Sequence, residues 1–357
     1  MQANRGSDKV TVLFLSWRDI KAPKRGGAEI FTHEMMKRAD HSKFRFIHIS
    51  PLFEGAPASE TIDDVLYLRM GHGGISVIIE ALRYYRKNAR TIDFVVDQCN
   101  THRFFTRAWV PARKRIFFIH QLTREIWHIN ASFPISTIGA RTETPFLRLS
   151  RKDPTITVSN STRDDLLAIG FDPAKVVIFP EGIDFEPWAP DAFLPKEPNP
   201  TFIYVGRFVH YKGIDDTVRA FAELRATHPE ARLWIVGKKN QPYIDEVLKP
   251  ILDAHGLTFG DEADHPDVVF HGFVSEERKL ELMSRAHALV FPSQREGWGL
   301  IITEAAAVGT PSIGYNSAGI VDALDAGRAG FLCRENTVAE LARQMDAVIT
   351  DPEGYQR

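Results

Sequence analysis

The sequence predicts an α/β protein with two domains, each built on a parallel sheet covered by helices. Short apolar runs alternate with helical patterns along the chain, which is typical of parallel strands joined by helices. A proline-rich stretch at residues 186–200 interrupts this alternation. The length of 357 residues is sufficient for two separate cores. We therefore expect an N-terminal domain at 1–185, a linker at 186–200 and a C-terminal domain at 201–357.

Apolar, β-branched and aromatic runs predict the strands of the first domain. These runs lie at 10–16, 44–50, 65–70, 94–98, 115–120 and 155–159. Helices are expected at 27–38 and 75–87, where apolar residues recur on one side. A further helix should end near residue 168, with Ser161 or Thr162 as its cap.

The second domain repeats the pattern, with strands expected at 202–205, 233–236, 268–271, 288–291 and 311–315. Helices are expected at 300–308 and 338–349. In open α/β sheets, ligands bind beyond the carboxyl ends of the strands. Functional residues should therefore follow strands directly.

Composition excludes several classes of protein. Hydrophobic residues make up 44% and charged residues 25%, which is ordinary for a globular protein. The two cysteines, Cys99 and Cys333, are far apart and lack metal-ligand spacing, so a disulfide framework is excluded and no metal site is expected. Residues 1–8 are polar, and no run approaches the ~20 apolar residues of a membrane span. We expect a cytoplasmic protein.

Charge is distributed unevenly between the two halves. Residues 1–190 hold 27 Lys/Arg against 21 Asp/Glu, or +6, and the rest hold 17 against 25, or −8. Basic clusters occur at Arg83, Arg86, Lys87 and Arg90 and at Arg113, Lys114 and Arg115. They are either ordinary solvated faces or contacts for an anionic acceptor or for anionic lipid at the inner face of the membrane. No nucleic-acid partner is expected.

Two cations follow the first strand of the second domain. Arg207 and Lys212 are five residues apart, after the turn at Gly206. Paired cations at a strand end suit a phosphate group on which negative charge develops. Without such a ligand they are surface charges near a turn.

Two glutamates bracket a glycine turn after strand 288–291. Glu296 and Glu304 flank Gly297, Trp298, Gly299 and Leu300, and the helix pattern begins at Leu300. The unpaired N–H groups at a helix start suit a diphosphate. Considered alone, either glutamate is typical of an ordinary solvent-exposed residue.

Together these motifs resemble the paired-glutamate signature of the retaining glycosyltransferases of family 4, also described as glycosyl transferases group 1. The resemblance implies the GT-B fold, in which two Rossmann-like domains with parallel sheets face a central cleft. It implies that Glu296 contacts the sugar of a nucleotide-sugar donor and that Glu304 contacts its ribose. Arg207 and Lys212 would stabilise the leaving phosphate, so neither a metal nor a cofactor is expected.

The resemblance extends to the first domain and to the base site. Gly26 and Gly27 would let the backbone approach the diphosphate, and His120 would face the donor sugar. Phe273 and Val274 would contact the base. Asn100 and Trp127 are candidates for the acceptor pocket, and Glu181 stands where many relatives carry asparagine. A dehydrogenase is disfavoured because no three-glycine dinucleotide fingerprint is present.

The predicted activity is therefore transfer of a hexose, with retention, from a UDP- or GDP-linked sugar to a hydroxyl of a glycan, a glycolipid or a small molecule. Two alternatives remain open. One is a sugar-nucleotide-binding protein that has lost catalysis, and the other is a GT-B epimerase. Relatives usually end in helices that cross back to the first domain, whereas this sequence stops soon after 338–349, so we expect either a shortened sequence or a missing crossover.

Overall fold

The computed structural model describes residues 9–99, 102–130 and 132–356. The chain separates into two compact units, with the boundary between Glu181 and Gly182. We call the N-terminal part unit 1 and the C-terminal part unit 2. Each has its own sheet and its own core.

Within its described residues, unit 1 contains an eight-stranded sheet in the order β3-β4-β2-β1-β5-β6-β7-β8. The strands are β1 Val10–Leu15, β2 Phe44–Ser50, β3 Ser59–Ile62, β4 Val65–Arg69, β5 Phe94–Cys99, β6 Arg115–Ile119, β7 Thr155–Thr157 and β8 Val176–Ile178. β3 pairs antiparallel with β4, and the other pairings are parallel. Side chains of the central strands, such as Leu13 and Ile49, are fully buried because helices cover the sheet.

The helices of unit 1 are α1 Gly27–Lys37, α2 Ile75–Asn88, α3 Ile126–Asn130, α4 Ile135–Arg148 and α5 Asn160–Ala168. The cap of α5 differs from the prediction, since Ser159 accepts a hydrogen bond from the Thr162 backbone N–H at 3.2 Å. The capping hydroxyl therefore belongs to the first residue of the Ser-Asn-Ser-Thr run, which has extended backbone dihedrals.

Unit 2 contains, among its described residues, a seven-stranded parallel sheet in the order β11-β12-β10-β9-β13-β14-β15. The strands are β9 Thr201–Val205, β10 Arg232–Val236, β11 Phe259–Gly260, β12 Val268–Gly272, β13 Ala288–Phe291, β14 Ser312–Gly314 and β15 Phe331–Leu332. The helices are α6 Ile214–Arg225, α7 Gln241–Tyr243, α8 Lys249–Ala254, α9 Glu276–Arg285, α10 Leu300–Ala307, α11 Ile320–Ala323, α12 Val338–Thr350 and α13 Pro352–Gln356. In the order of the sheet, β9 and β13 lie side by side at the centre.

The proline-rich stretch 186–200 packs on unit 2. The Trp188 backbone N–H donates to the Ala307 carbonyl at 2.8 Å. The Lys196 ammonium donates to the carbonyls of Ser284, Ala286 and Gly309 at 2.8–3.1 Å. These bonds attach the stretch to α9 and α10 of unit 2.

Among the described residues, no helix combines the length and the apolar character needed to cross a bilayer.

Candidate functional site

The loops after β9 and β13 of unit 2 bring the predicted cation and acid together. The Lys212 ammonium lies 2.5 Å from Glu296 Oε1. Ser293 donates to the same carboxylate oxygen at 2.6 Å. The side chains of Lys212 and Glu296 are only 16% and 12% exposed, which strengthens their attraction. The structure thus pairs two residues that are 84 positions apart.

Aromatic rings surround this ion pair. The Lys212 ammonium lies 5.4 Å from the ring centroids of Tyr211 and Phe291. Arg207 donates a hydrogen bond to the Tyr211 hydroxyl, and its guanidinium lies 5.9 Å from that ring. Both predicted cations therefore contact Tyr211, which the sequence argument missed.

Two glycines allow the loops to approach each other. Gly213 has φ +71°, and a Cβ there would lie 2.4 Å from the Pro292 carbonyl oxygen. Gly319 has φ +82°, and a Cβ there would lie 2.4 Å from the Glu296 carbonyl oxygen. Since only glycine fits both the backbone angle and the space, these positions fix the loop that carries Glu296.

Glu304 lies in a second ion pair, on α10. Its carboxylate is 2.6 Å from the Lys279 ammonium of α9. Burial raises the pKa of Glu304 above its ordinary value, and Lys279 opposes that shift. Lys279 also contacts Glu276 at 2.6 Å. Sequence reasoning missed Lys279 because it lies on an amphipathic helix outside any motif.

The turn between the two glutamates has the predicted form. Gly299 has φ +99° and directly precedes α10, which begins at Leu300. The Trp298 indole N–H donates to the Thr303 hydroxyl at 2.9 Å, which ties the turn to the helix. Gly297 lies between Glu296 and Trp298 in the sequence. The geometry offers a helix start next to the Lys212–Glu296 pair.

The remaining predicted residues of unit 2 lie after β9 and β12. The Gly206 N–H donates to the Val236 carbonyl at 3.0 Å. Phe273 is 83% exposed, and Val274 is half-buried against the core. An exposed aromatic ring at a strand end is available to stack against a planar group.

In unit 1, Gly26 and Gly27 lie at the start of α1. The Gly26 N–H donates to Glu29 at 2.7 Å, and Arg18 donates to the other oxygen of Glu29 at 3.0 Å. The two glycines are thus part of a capped helix start, with the Gly26 N–H already bonded within the protein.

His120 is buried in unit 1, with only 6% of its surface exposed. Its Nδ1 lies 2.7 Å from Glu181 Oε1, and its Nε2 lies 3.2 Å from the Gln98 side-chain nitrogen. Because the Gln98 amide donates to Nε2, Nδ1 carries the proton and donates to Glu181. The ring also packs against Phe31 and Phe118. Glu181, which stands where many relatives carry asparagine, is therefore hydrogen-bonded to His120.

A cavity of about 700 Å³ lies in unit 1 and includes Trp127 in its lining. Asn100 lies outside the described residues. In the described part of the chain, no group of three or more His, Cys, Asp or Glu side chains is arranged to hold a metal ion.

Two Rossmann-like α/β units, with charged residues gathered at the strand ends of unit 2, define a protein of the GT-B class. Family models confirm this. The model described as Glycosyl transferases group 1 matches residues 189–357, and the one described as Glycosyltransferase Family 4 matches residues 25–187. The chain belongs to the family 4 glycosyltransferases.

Individual relatives agree with the family. Glycogen synthase of Mycobacterium tuberculosis is 34% identical over 209 residues, covering 57% of this chain and 47% of its own length. D-inositol 3-phosphate glycosyltransferase of Stackebrandtia nassauensis is 27% identical over 265 residues, covering 64% of this chain and 57% of its own length. The chain spans about half the length of these curated relatives.

Solved structures match the fold over nearly the whole chain. Sucrose-phosphate synthase of Thermosynechococcus elongatus has a TM-score of 0.77 at 18% identity, covering 98% of this chain and 92% of that one. The HepE protein of Anabaena, in complex with UDP and glucose, has a TM-score of 0.69 at 16% identity, covering 97% and 91%. The prediction of a GT-B fold is confirmed.

Proposed function

We propose that the protein is a retaining hexosyltransferase that moves a hexose from a UDP- or GDP-linked donor to an acceptor hydroxyl without a metal ion. The observation that carries the proposal is the contact between Lys212 and Glu296, which joins the loops after β9 and β13. A cation for a leaving phosphate and an acid for a sugar hydroxyl are then adjacent.

Arg207 and Lys212 are assigned to the leaving group. When the bond between the sugar C1 and the phosphate oxygen breaks, negative charge develops on the terminal phosphate. Arg207 supplies a planar, permanently charged donor, and Lys212 supplies a second positive charge. Two such groups stabilise the charge as it forms, which is why a metal ion is not required by this proposal.

Glu296 is assigned to the transferred sugar. Its Oε1 binds Lys212 and Ser293, and we assign Oε2 to sugar hydroxyls. The acceptor oxygen attacks C1 from the face that the phosphate leaves, and its proton passes to a leaving phosphate oxygen. The new C1–O bond then has the configuration of the old one, so no covalent attack by Glu296 is needed.

The rest of the donor is assigned to neighbouring residues. The diphosphate lies at the α10 start, along Gly297, Trp298, Gly299 and Leu300, with Gly206, and Glu304 binds the ribose. The base lies against Phe273 and Val274. For unit 1, the assignments of Gly26 and Gly27 to a diphosphate and of His120 to a donor sugar stay sequence-based predictions, and both ring nitrogens of His120 are hydrogen-bonded within the unit. The bound UDP and glucose of the HepE protein support a UDP-linked hexose as the first donor to test.

We place the enzyme in the cytoplasm, with an acceptor that is a glycan, a glycolipid or a small molecule. The basic clusters of the first half support peripheral contact with the inner face of the membrane.

A two-step experiment tests the activity. UDP- and GDP-linked sugars are screened by thermal shift, and the best donor is then incubated with candidate acceptors while release of nucleoside diphosphate is measured, with and without EDTA. Acceptor-dependent release that resists EDTA supports the proposal. Donor binding without release with any acceptor identifies a binding protein, and conversion of the donor sugar without an acceptor identifies an epimerase.

A further inference from the structure

The cavity of unit 1 is large and mostly apolar. Its volume of about 700 Å³ lies within the ~300–1,000 Å³ range of small-molecule sites. Its floor includes Cys99 and Ile119 at the carboxyl ends of β5 and β6, and its walls come from α2 and α4. The lining is dominated by aliphatic and aromatic side chains, among them Trp127, Phe105 and Phe146. Such a wall favours a hydrocarbon group.

Apolar side chains continue from the cavity onto the surface. Ile75 and Ile135, the first residues of α2 and α4, are 74% and 64% exposed. Ile138, one turn further along α4, is 58% exposed. All three line the cavity. A continuous exposed apolar surface of this kind marks an interaction site rather than scattered surface residues.

The two helices that border the cavity are positively charged. They carry five basic residues, Arg83, Arg86, Lys87, Arg141 and Arg148, against two acidic ones, Glu80 and Glu143. Four of these charged side chains have partners within the unit. Glu143 accepts the backbone N–H groups of Thr123 and Arg124 at 2.5 and 2.9 Å. Arg83 pairs with Glu80 at 2.5 Å, and Arg148 donates to the Ile169 carbonyl at 3.0 Å. Residues 1–181 as a whole hold 27 Lys/Arg against 19 Asp/Glu, or +8. An anionic occupant is therefore favoured.

Buried polar atoms in the lining lack partners. Arg103 is only 4% exposed, and its Nε has no hydrogen-bond partner among the described residues. The same holds there for Gln121 Oε1 and Trp127 Nε1. Buried polar groups are normally hydrogen-bonded. Three unsatisfied groups around one apolar cavity indicate a ligand with a polar part as well as a hydrocarbon part.

We propose that this cavity binds the hydrocarbon chain of a single anionic amphiphile, a lipid with a phosphate-bearing head. The chain lies against the isoleucines of α2 and α4, and the head meets the basic surface of these helices. If the proposed transferase activity holds, this amphiphile is the acceptor and the enzyme glycosylates a lipid-borne hydroxyl. The binding site itself does not depend on that activity.

Isothermal titration calorimetry with 1-lauroyl-lysophosphatidic acid, below its micelle-forming concentration, tests the site. Glycerol 3-phosphate has the same head without the chain, and dodecyl maltoside has a chain without the charge. Ile75→Glu and Ile138→Glu place a charge at exposed cavity positions, so folding should be retained. Ile79→Glu is the matched control, since Ile79 is 41% exposed on the same helix but does not line the cavity.

We expect saturable binding of the lysolipid, weakened at least ~10-fold by Ile75→Glu and by Ile138→Glu but less than ~2-fold by Ile79→Glu. Glycerol 3-phosphate should not bind, and dodecyl maltoside should bind more weakly. Absence of lysolipid binding, equal effects of the three variants, or equal binding of dodecyl maltoside would overturn the proposal. Thermal shift with the nucleotide sugars, run on the same variants, reports separately on the donor site. Lysolipid binding without a donor response therefore contradicts the transferase proposal alone.

Discussion

Lys212 and Glu296 form a contact of 2.5 Å between two loops that follow adjacent strands of unit 2. The pair is nearly enclosed, so neither charge is strongly screened by water. A leaving phosphate placed there would meet a cation already held in position. The free-energy cost of orienting Lys212 therefore arises when the protein folds and not during the reaction.

Lys212→Ala and Arg207→Ala should each lower turnover by ~10² or more. Each variant lacks a positive charge that is assigned to stabilise the negative leaving phosphate. Steady-state kinetics with the preferred donor measures this. Lys249→Ala, at an exposed position of α8, is the control and should retain normal turnover. Near-normal rates in both test variants would refute the assigned role.

The coupling between the two residues can also be measured. Combining Lys212→Ala with Glu296→Gln should give a loss smaller than the sum of the single losses in free energy, because the residues share one contact. Strict additivity would show that they act independently.

Glu304→Gln should weaken donor binding more than it lowers turnover, because Glu304 is assigned to the ribose. Burial raises the pKa of Glu304, so it takes up a proton at a higher pH than an ordinary glutamate. Donor affinity should consequently fall as the pH is lowered towards that raised pKa, and the Gln variant should lose this dependence. Titration calorimetry between pH 8 and pH 5 measures both effects.

Glu276 offers a matched control for that experiment. It contacts the same lysine at the same distance of 2.6 Å, but its side chain is 75% exposed. Glu276→Gln should leave donor affinity unchanged. An unaltered donor dissociation constant in Glu304→Gln would contradict the ribose assignment.

Gly319→Ala should lower activity by moving the Glu296 loop. The new methyl group would lie 2.4 Å from the Glu296 carbonyl oxygen, at a φ of +82° that alanine rarely adopts. Gly256→Ala is the control that introduces backbone strain without displacing a loop. Gly256 has φ +63°, and no atom lies within 4 Å of the added carbon. Gly256→Ala should lose ~1 kcal/mol of stability from backbone strain alone, and Gly319→Ala should lose more because of the added clash. Only Gly319→Ala should lose activity. Equal activity of the two variants would show that the loop position is unimportant.

The buried strands were predictable because each is a nearly continuous apolar run. Residues 44–50 and 288–291 match the observed strands β2 and β13. The exposed strand β3 and the short strands β8, β11 and β15 were missed, since their pairing depends on neighbours rather than on their own hydrophobic pattern. Helix α4 was missed because its apolar side chains face a cavity and solvent.

The site was less predictable than the fold. The motif positions around Arg207 and Glu296 could be located from strand ends and glycine turns. Their partners could not, because Tyr211, Lys279 and Glu181 are selected by contacts between distant segments. The Glu304–Lys279 pair joins α10 to α9, and the His120–Glu181 pair joins residues 61 positions apart. Sequence spacing contains no information on such contacts.

His48 should make unit 1 sensitive to acid. It is buried in β2, against Tyr67 and near the Arg69–Asp19 ion pair, with His33 also close. Burial lowers the pKa of His48 to about 4, and the positive charge of Arg69 adds to this while Asp19 opposes it. The unfolded chain therefore binds a proton near pH 6.5 that the folded protein does not accept.

The sign of the effect follows from that difference. The contribution to stability is fully present above about pH 6.5 and is lost as the pH falls towards 4. Between pH 7 and pH 5 the free energy of unfolding should decrease by about 2 kcal/mol more in the wild type than in His48→Gln, which cannot titrate. Urea denaturation at the two pH values measures this, and comparing the differences removes the packing cost of the substitution. His72→Gln, at an exposed histidine, should follow the wild type. If His48→Gln kept the full acid sensitivity, another group would have to be responsible for it.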